Sequence, residues 1–441
     1  MPRVLLLLPT TTYRTHAFME AAQRLGVELT VASEEASTLT RLNPSGLLQL
    51  DFADPQKAAR QVGEFAQEYP IAAVVPVDDQ VTICAATICQ ALGLRHNSVE
   101  SAQAARNKHR MRELLGRAGV PQPQSKLCTL DDDPVQIADQ VQYPCVVKPL
   151  TLSGSRGVIR ANTNREFVRA VDRLDHILRS EFRESQSSAG PGGRPDRSLP
   201  AAARQYLVED FVAGQEVALE GLLTRGELRV LTLFDKPNPL EGPFFEETIY
   251  VTPSRLPVSV QEDIARCASH ACRAIGLTEG PVHAEMRINA DGPWMIEVNP
   301  RSIGGFCSRV LRFGTGLSLE ELIIRHALGE TDEPPKREPQ PVGVMMIPTP
   351  QAGTLTEVRG LDAARTVEGI EEVTISAHLG QELIPLPEGA LYLGFIFARA
   401  ASPEAVEAAL RESHARLDFL IRPVHLVPNQ PPGASPRFDF A

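Results

Sequence analysis

A multidomain chain of mixed α/β and α+β class is what this sequence predicts, and three observations carry the prediction. At 441 residues the chain exceeds what one ordinary hydrophobic core organises, so two to four domains are expected. It opens on the apolar run Arg3–Leu8, the loop Pro9–Thr12, a helical pattern from His16 to Leu25 stopped by Gly26, and a strand Val27–Ala32. That order is the β-loop-α-β start of a parallel sheet. Much later, Val282–Asn289 and Trp294–Arg301 alternate apolar and polar residues about Ala290-Asp291-Gly292-Pro293, a β-hairpin with an Asp-Gly turn.

Composition narrows the function. Apolar content of 43% is that of a globular protein, and a formal charge of −11 argues against nucleic acid or an anionic membrane surface as main partner. The Leu5–Leu8 run is too short to span a bilayer, and no signal-peptide cleavage site follows it. Cys84, Cys89, Cys128, Cys145, Cys267, Cys272 and Cys307 are an odd, scattered set without C-x-x-C. Buried reduced thiols are expected, with neither a disulfide framework nor a zinc site. A soluble cytoplasmic protein is the expectation.

Along the chain, Ile71–Val77 reads as a buried strand ending in Asp78-Asp79 before a helix Val81–Leu92. No G-x-G-x-x-G accompanies it, so no dinucleotide site is indicated. Asp78 and Asp79 read first as caps of that helix and second as ligand contacts at the strand's carboxyl end. Ser101–Ala118 reads as one helix, stopped by Gly119. Tyr143–Pro149 is a strand delivering Lys148 at its end, and Leu152–Val158 follows as a Gly/Ser loop. Small residues there let backbone N–H groups approach an anion. With a lysine in front, phosphate binding and a plain turn stand level.

Residues 185–200, rich in Ser, Gly, Pro and Arg, read as a mobile excursion inside a folded region. Strands are expected at Gln205–Phe211, Val217–Leu223 and Leu228–Phe234, and then a long loop through Lys236 and Glu247 with convergent polar groups. Helices are expected at Gln261–Ile275 and Leu317–Leu328, separated by the hairpin and the polar turn Ser302–Gly305. After a Pro-rich boundary at Glu333–Pro339, strands at Gly343–Ile347, Glu371–Ser376 and Leu391–Ala398 and a helix Pro403–Leu417 suggest a small α+β lid or interface domain.

The hairpin carries the chemistry. Strict alternation puts Glu285 and Arg287 on one face, and Glu297 and Asn299 on one face of the second strand, with Ile296 and Val298 in the core. Glu285 and Glu297 then come opposite each other. Two facing carboxylates and a carboxamide repel unless a cation lies between, and oxygen-only ligands suit Mg²⁺. The alternative is surface carboxylates paired to Arg287 or Arg301. From the hairpin alone the two readings are level.

Five motifs in order resemble the ATP-grasp superfamily. They are Asn107-Lys108 with Gly119-Val120-Pro121; Val147-Lys148-Pro149; Ser153–Gly157; Glu209-Asp210-Phe211-Val212 with Glu216; and Glu285 with Glu297–Arg301. More narrowly, Pro76–Asp79, Asp235-Lys236-Pro237 and Gly343–Ile347 resemble the L-amino-acid (dipeptide) ligase branch of the carboxylate–amine ligases. The resemblance implies a pre-ATP-grasp parallel α/β domain over 1–102. An ATP-grasp domain of two α+β subdomains would span 103–333, its lid at about 125–210 carrying the 185–200 insertion. A small C-terminal α+β subdomain would span 334–441.

It also implies roles. Lys108 and Lys148 would neutralise ATP phosphates beneath a flap of Ser153, Gly154, Ser155 and Gly157. Backbone groups of Glu209, Asp210, Phe211 and Val212 would meet adenine, and Glu216 the ribose. Position 210 is Asp where many relatives carry Lys or Glu, so only its backbone role carries over. Glu285, Glu297 and Asn299 would hold Mg²⁺ or Mn²⁺. Arg301 would stabilise charge at the reacting centre, Ser302, Gly304 and Gly305 would hold a substrate carboxylate, and Lys236, Glu247 and His283 would line the acceptor pocket. For His283 a purely structural role stands level. The implied activity joins a small-molecule carboxylate to an amine through an acyl phosphate, releasing ADP and phosphate. A homodimer through the first domain is the family-based expectation. The alternatives are a biotin-carboxylase-like enzyme using bicarbonate, against which no Met-Lys-Met attachment segment appears, and a non-catalytic nucleotide-binding module.

Overall fold

The computed structural model describes residues 1–37, 39–40, 42–187, 199–330 and 333–423. The first unit is a four-stranded parallel sheet of Leu47–Gln49, Glu28–Ser33, Arg3–Leu7 and Ala73–Pro76, in that spatial order. Helices Thr15–Leu25, Pro55–Glu68 and Thr82–Leu92 accompany it. Leu5, Leu6 and Leu7 are fully buried, as a parallel strand covered on both faces requires. Gly26, at φ 65°, stops the first helix by donating its N–H to the carbonyls of Ala22 and Gln23. The helix Pro55–Glu68 was not expected, although Asp54 caps it and Pro55 opens it, both readable start signals.

The single helix expected over Ser101–Ala118 is two, Val99–Arg106 and Lys108–Arg117. Asn107 leaves helical geometry between them, and its side chain accepts from the Arg110 N–H at 3.1 Å. That break sets Lys108 at the first position of a helix. Next comes an antiparallel sheet of Ser125–Thr129, Gln205–Asp210, Cys145–Pro149 and Ile159–Ala161. It is covered by the helix Asn164–Ser187, whose Phe167, Val171, Leu174 and Leu178 share one buried stripe. This helix takes the first residues of the stretch read as a mobile excursion; residues 188–198 lie outside the described residues.

The largest sheet has eight strands, in the order Gly292–Asn299, Gly280–Asn289, Gln215–Thr224, Glu227–Asp235, Ile249–Thr252, Val342–Ile347, Gly394–Arg399 and Ile370–Ile375. Strands from beyond the Pro-rich boundary therefore extend the sheet that carries the hairpin. A three-stranded sheet of Glu382–Leu383, Gly353–Arg359 and Asp418–Arg422 completes the C-terminal part, with the helix Pro403–Ala415. The helix Val258–Ile275 packs Ile264, Ala268 and Ala271 onto Leu219, Ala284, Met295 and Val298 and closes one face of the large sheet. The cysteines are all free and buried. Burial pushes the Cys272 thiol up to about 12. Among the described residues, no helix is long and apolar enough to cross a membrane.

The hairpin pairs Glu285 with Glu297, as alternation requires. Its turn is shorter than expected, because Asn289 already pairs with Gly292. The register also slips between Glu285 and Met286, so Met295 enters the core and Ile296 lines the cleft. Strict alternation had placed Ile296 in the core; the bulge reverses it.

Candidate functional site

A cleft of about 570 Å³ lies where the lid sheet, the large sheet, the N-terminal unit and residues 390–395 meet. Its floor is the hairpin. Glu285 and Glu297 face each other across neighbouring strands, and Asn299 follows on the second. Each carboxylate already has a counter-cation: Lys108 Nζ is 3.4 Å from Glu297, and Lys236 Nζ is 2.9 Å from Glu285. The carboxamide of Asn299, nearly buried, makes no side-chain hydrogen bond among the described residues. Two carboxylates and an unspent amide oxygen at one surface are a donor set that suits a hard divalent cation.

Beneath the floor lies a cluster that the sequence did not suggest. Lys236 Nζ is 2.8 Å from Glu216, 2.6 Å from Glu247 and 2.9 Å from Glu285. Oxygens of those three carboxylates lie within 4.8 Å of one another. Burial disfavours the ammonium, but the three carboxylates outweigh it and hold Lys236 well above its ordinary value. Lys236 is thus enclosed by protein and does not line the cleft, contrary to its expected place in an acceptor pocket. Glu247 does line it, bonded through its other oxygen to the Tyr250 hydroxyl at 2.8 Å. Glu216 spends its second oxygen on Arg287, 3.1 Å away.

At the end of the cleft nearest the Gly/Ser loop, Lys148 Nζ meets Glu209 at 2.6 Å, and Arg112 grips the same carboxylate at 2.7 Å. Burial lowers Lys148 to about 8, with Glu209 opposing the shift. Arg112 also donates to the carbonyls of Met295 and Ile296, tying lid to hairpin. Sequence reasoning missed it, because an arginine inside a helix carries no local mark. Lys108 donates to the Leu152 carbonyl at 2.9 Å and so bridges the Gly/Ser loop to the floor. Ser153, Gly154 and Ser155 line the cleft, Gly154 and Ser155 with positive φ. Gly157 does not: its N–H donates to the Pro387 carbonyl, and it packs against Pro149 and Leu174.

Phe211 and Phe245 stack 6.4 Å apart and, with Ile296 and Val146, line an apolar part of the cleft. Asp210 and Val212 border it. The N–H groups of Asp210 and Phe211 are committed to the carbonyls of Gln124 and Pro144, which restricts the backbone left for a base.

At the far end Arg301 is partly buried, and its Nε donates to Asp79 at 2.8 Å. Burial opposes its charge, but Asp79 more than compensates and raises the guanidinium above its ordinary value. Asp78 makes no capping hydrogen bond and Asp79 pairs with Arg301, so the favoured capping reading of this dipeptide gives way; both aspartates line the cleft. Ser302 does not face the cleft: its hydroxyl and carbonyl accept from Arg14, each at 3.0 Å. Gly304 and Gly305 do, but the Gly305 N–H is taken by the Tyr13 hydroxyl at 2.7 Å. His283 reaches Glu285 at 3.3 Å, and burial lowers its pKa. Its Nδ1 has no partner and lies 3.9 Å from Glu220, whose carboxyl burial pushes well up.

Comparison with known proteins places this geometry. Residues 141–310 match the ATP-grasp domain model, residues 19–96 the ATP-grasp N-terminal domain, and residues 345–422 the L-amino acid ligase C-terminal domain 2. The chain belongs to the ATP-grasp superfamily, in its carboxylate–amine ligase branch. It is 25% identical over 436 residues to the uncharacterized protein y4rH of Sinorhizobium fredii, covering 96% of this chain and 84% of that one. It is 24% identical to the alanine–anticapsin ligase of Bacillus subtilis over 61% of this chain and 56% of that protein, so it spans little more than half that relative's length. Among solved structures, an L-amino acid ligase from Bacillus licheniformis superposes with a TM-score of 0.74 at 24% identity, over 96% of this chain and 99% of that one. The ATP-grasp architecture explains why two α+β halves close over one cleft.

Proposed function

We propose that this ATP-grasp chain is an ATP-dependent ligase that joins a small carboxylic acid, such as an amino acid, to an amine. The observation that carries the reading is the order of groups in one cleft. A lysine pair stands at one end, facing carboxylates form the floor, and a partly buried arginine lies beyond them. Relatives named alanine–anticapsin ligase and dapdiamide A synthase support it.

Lys148 and Lys108 neutralise the triphosphate as compact charges with several donors. The base lies in the Phe211–Ile296 slot, beside the backbone of Asp210–Val212, with Glu216 and Glu209 behind it. Glu285, Glu297 and Asn299 would hold Mg²⁺ or Mn²⁺, which when bound would offset charge on the transferring oxygens. The acid's carboxylate attacks the γ-phosphorus, giving an acyl phosphate and ADP. The amine nitrogen then attacks the acyl carbon, phosphate leaves, and the amine's proton is released. Arg301 directs its unspent N–H groups at the oxygen that gains charge in that second step. Held by Asp79, it needs little reorientation.

The test is phosphate release from ATP with acid and amine supplied singly and together. Release that requires both supports the reading; release that ignores amino acids but responds to bicarbonate defeats it in favour of a carboxylase. Glu297→Ala is expected to lower turnover on the order of a hundredfold and to raise the Mg²⁺ concentration needed. Unchanged turnover would remove Glu297 from the cation site. Sedimentation of the pure protein tests the expected homodimer.

A further inference from the structure

The cleft continues past Arg301 into a chamber whose walls are aromatic and aliphatic. Tyr13 comes from the loop after the first strand, Phe306 from the turn after Arg301, Met346 from the large sheet, and Leu391, Tyr392 and Phe395 from the segment entering the next strand. Phe306 packs between Tyr13 at 4.5 Å and Phe395 at 4.7 Å, and Tyr392 lies 6.2 Å from Phe395. Phe306 has φ 53°, a left-handed conformation that costs a non-glycine residue on the order of 1 kcal/mol and persists only where its surroundings hold it. Gly305 leaves no room for a Cβ beside Met346 Sδ, so this turn lies directly on the aliphatic wall. At the mouth, Leu391 is 65% exposed and Tyr13 46% exposed. Both leave apolar surface facing the cleft without a protein cover.

The chamber's ends are polar. Arg301 stands at one side, and the Tyr13 hydroxyl is near enough to act on its charge. Glu247 stands at the other, where burial and then the carboxylates of Glu247 and Glu246 hold the Tyr392 hydroxyl well above its ordinary range. A guanidinium and a carboxylate suit the two charged groups of an α-amino acid. Two of the four rings already have a cation over them: Arg309 lies over Phe306 at 5.7 Å and Arg14 over Tyr13 at 5.9 Å.

We infer that the substrate seated beside Arg301 is an α-amino acid with a bulky apolar or aromatic side chain, which this chamber receives. The inference rests on the ligase reading and deepens it.

The experiment is phosphate release over a panel of L-amino acids, singly and in pairs, with products identified by mass. Phe, Leu, Met or Trp should be incorporated with kcat/KM at least about tenfold above Ala, Ser, Asp or Lys, the scale on which apolar pockets discriminate. Leu391→Asp alters an exposed side chain, and so keeps the core intact. It should raise KM for the apolar substrate about tenfold and leave KM for ATP unchanged. Phe306→Ala should shrink the gap between Phe and Ala. A preference for small, acidic or basic amino acids, or a ranking that both variants leave unchanged, would overturn the inference while the ligase reading stands. No response to any amino acid would overturn both.

Discussion

At the phosphate end of the cleft, Lys148 and Glu209 sit on paired strands of one small sheet. At the reacting end, Arg301 is held by Asp79 from 222 residues away, and Ser302 by Arg14 from 288. One end is built on one small sheet, with Arg112 and Lys108 added from the helix just before it; the other exists only where the N-terminal sheet meets the hairpin. On the function proposed above, the difference teaches that nucleotide binding and group transfer would answer to different parts of the chain. Lesions at the first end should act on ATP affinity or on stability, and lesions at the second on turnover.

The sharpest way to break this comparison is Arg301→Ala. It should lower kcat by about a hundred- to a thousandfold, the cost of an oxyanion donor, with KM for ATP little changed. A matching rise in KM for ATP would merge the two ends. Arg112→Met comes next. It leaves Glu209 with Lys148 alone and should cost about 2 kcal/mol of stability in urea unfolding, because Glu209 loses a charged hydrogen-bond donor. Asp79→Asn keeps the shape and removes the charge behind Arg301; kcat should fall about tenfold, as for one weakened charged hydrogen bond.

The smallest effect is a pH dependence. Lys148 is held near 8 by burial, and a bound triphosphate favours its charged form. ATP affinity should therefore be full below about 8 and decline as pH rises through that value, with KM for ATP growing several-fold over the next unit. Lys148→Arg, which stays charged, should flatten the profile.

Much of the frame was legible because its signals are local. The alternation of Val282–Asn289 and Trp294–Arg301 gave two strands and brought Glu285 opposite Glu297. A lysine ending a strand and a run of small residues marked one end of the cleft. The helix Asn164–Ser187 had the same kind of signal, in the stripe Phe167, Val171, Leu174 and Leu178, and was passed over. Asp54-Pro55 was equally readable.

Other features had no local signal. One inserted residue at Ile296 reverses the faces of a strand, and nothing in the alternation announces it. The enclosure of Lys236 by Glu216, Glu247 and Glu285 needs three strands and a loop in register. Asp79 reads as a helix cap until Arg301 arrives beside it. The sequence by itself determined which residues the strands, turns and phosphate loop present, because periodicity and backbone preference act over a few positions. Only the tertiary structure decided which charges neutralise one another, because a buried charge takes its partner from whatever distant segment the fold brings within about 3 Å.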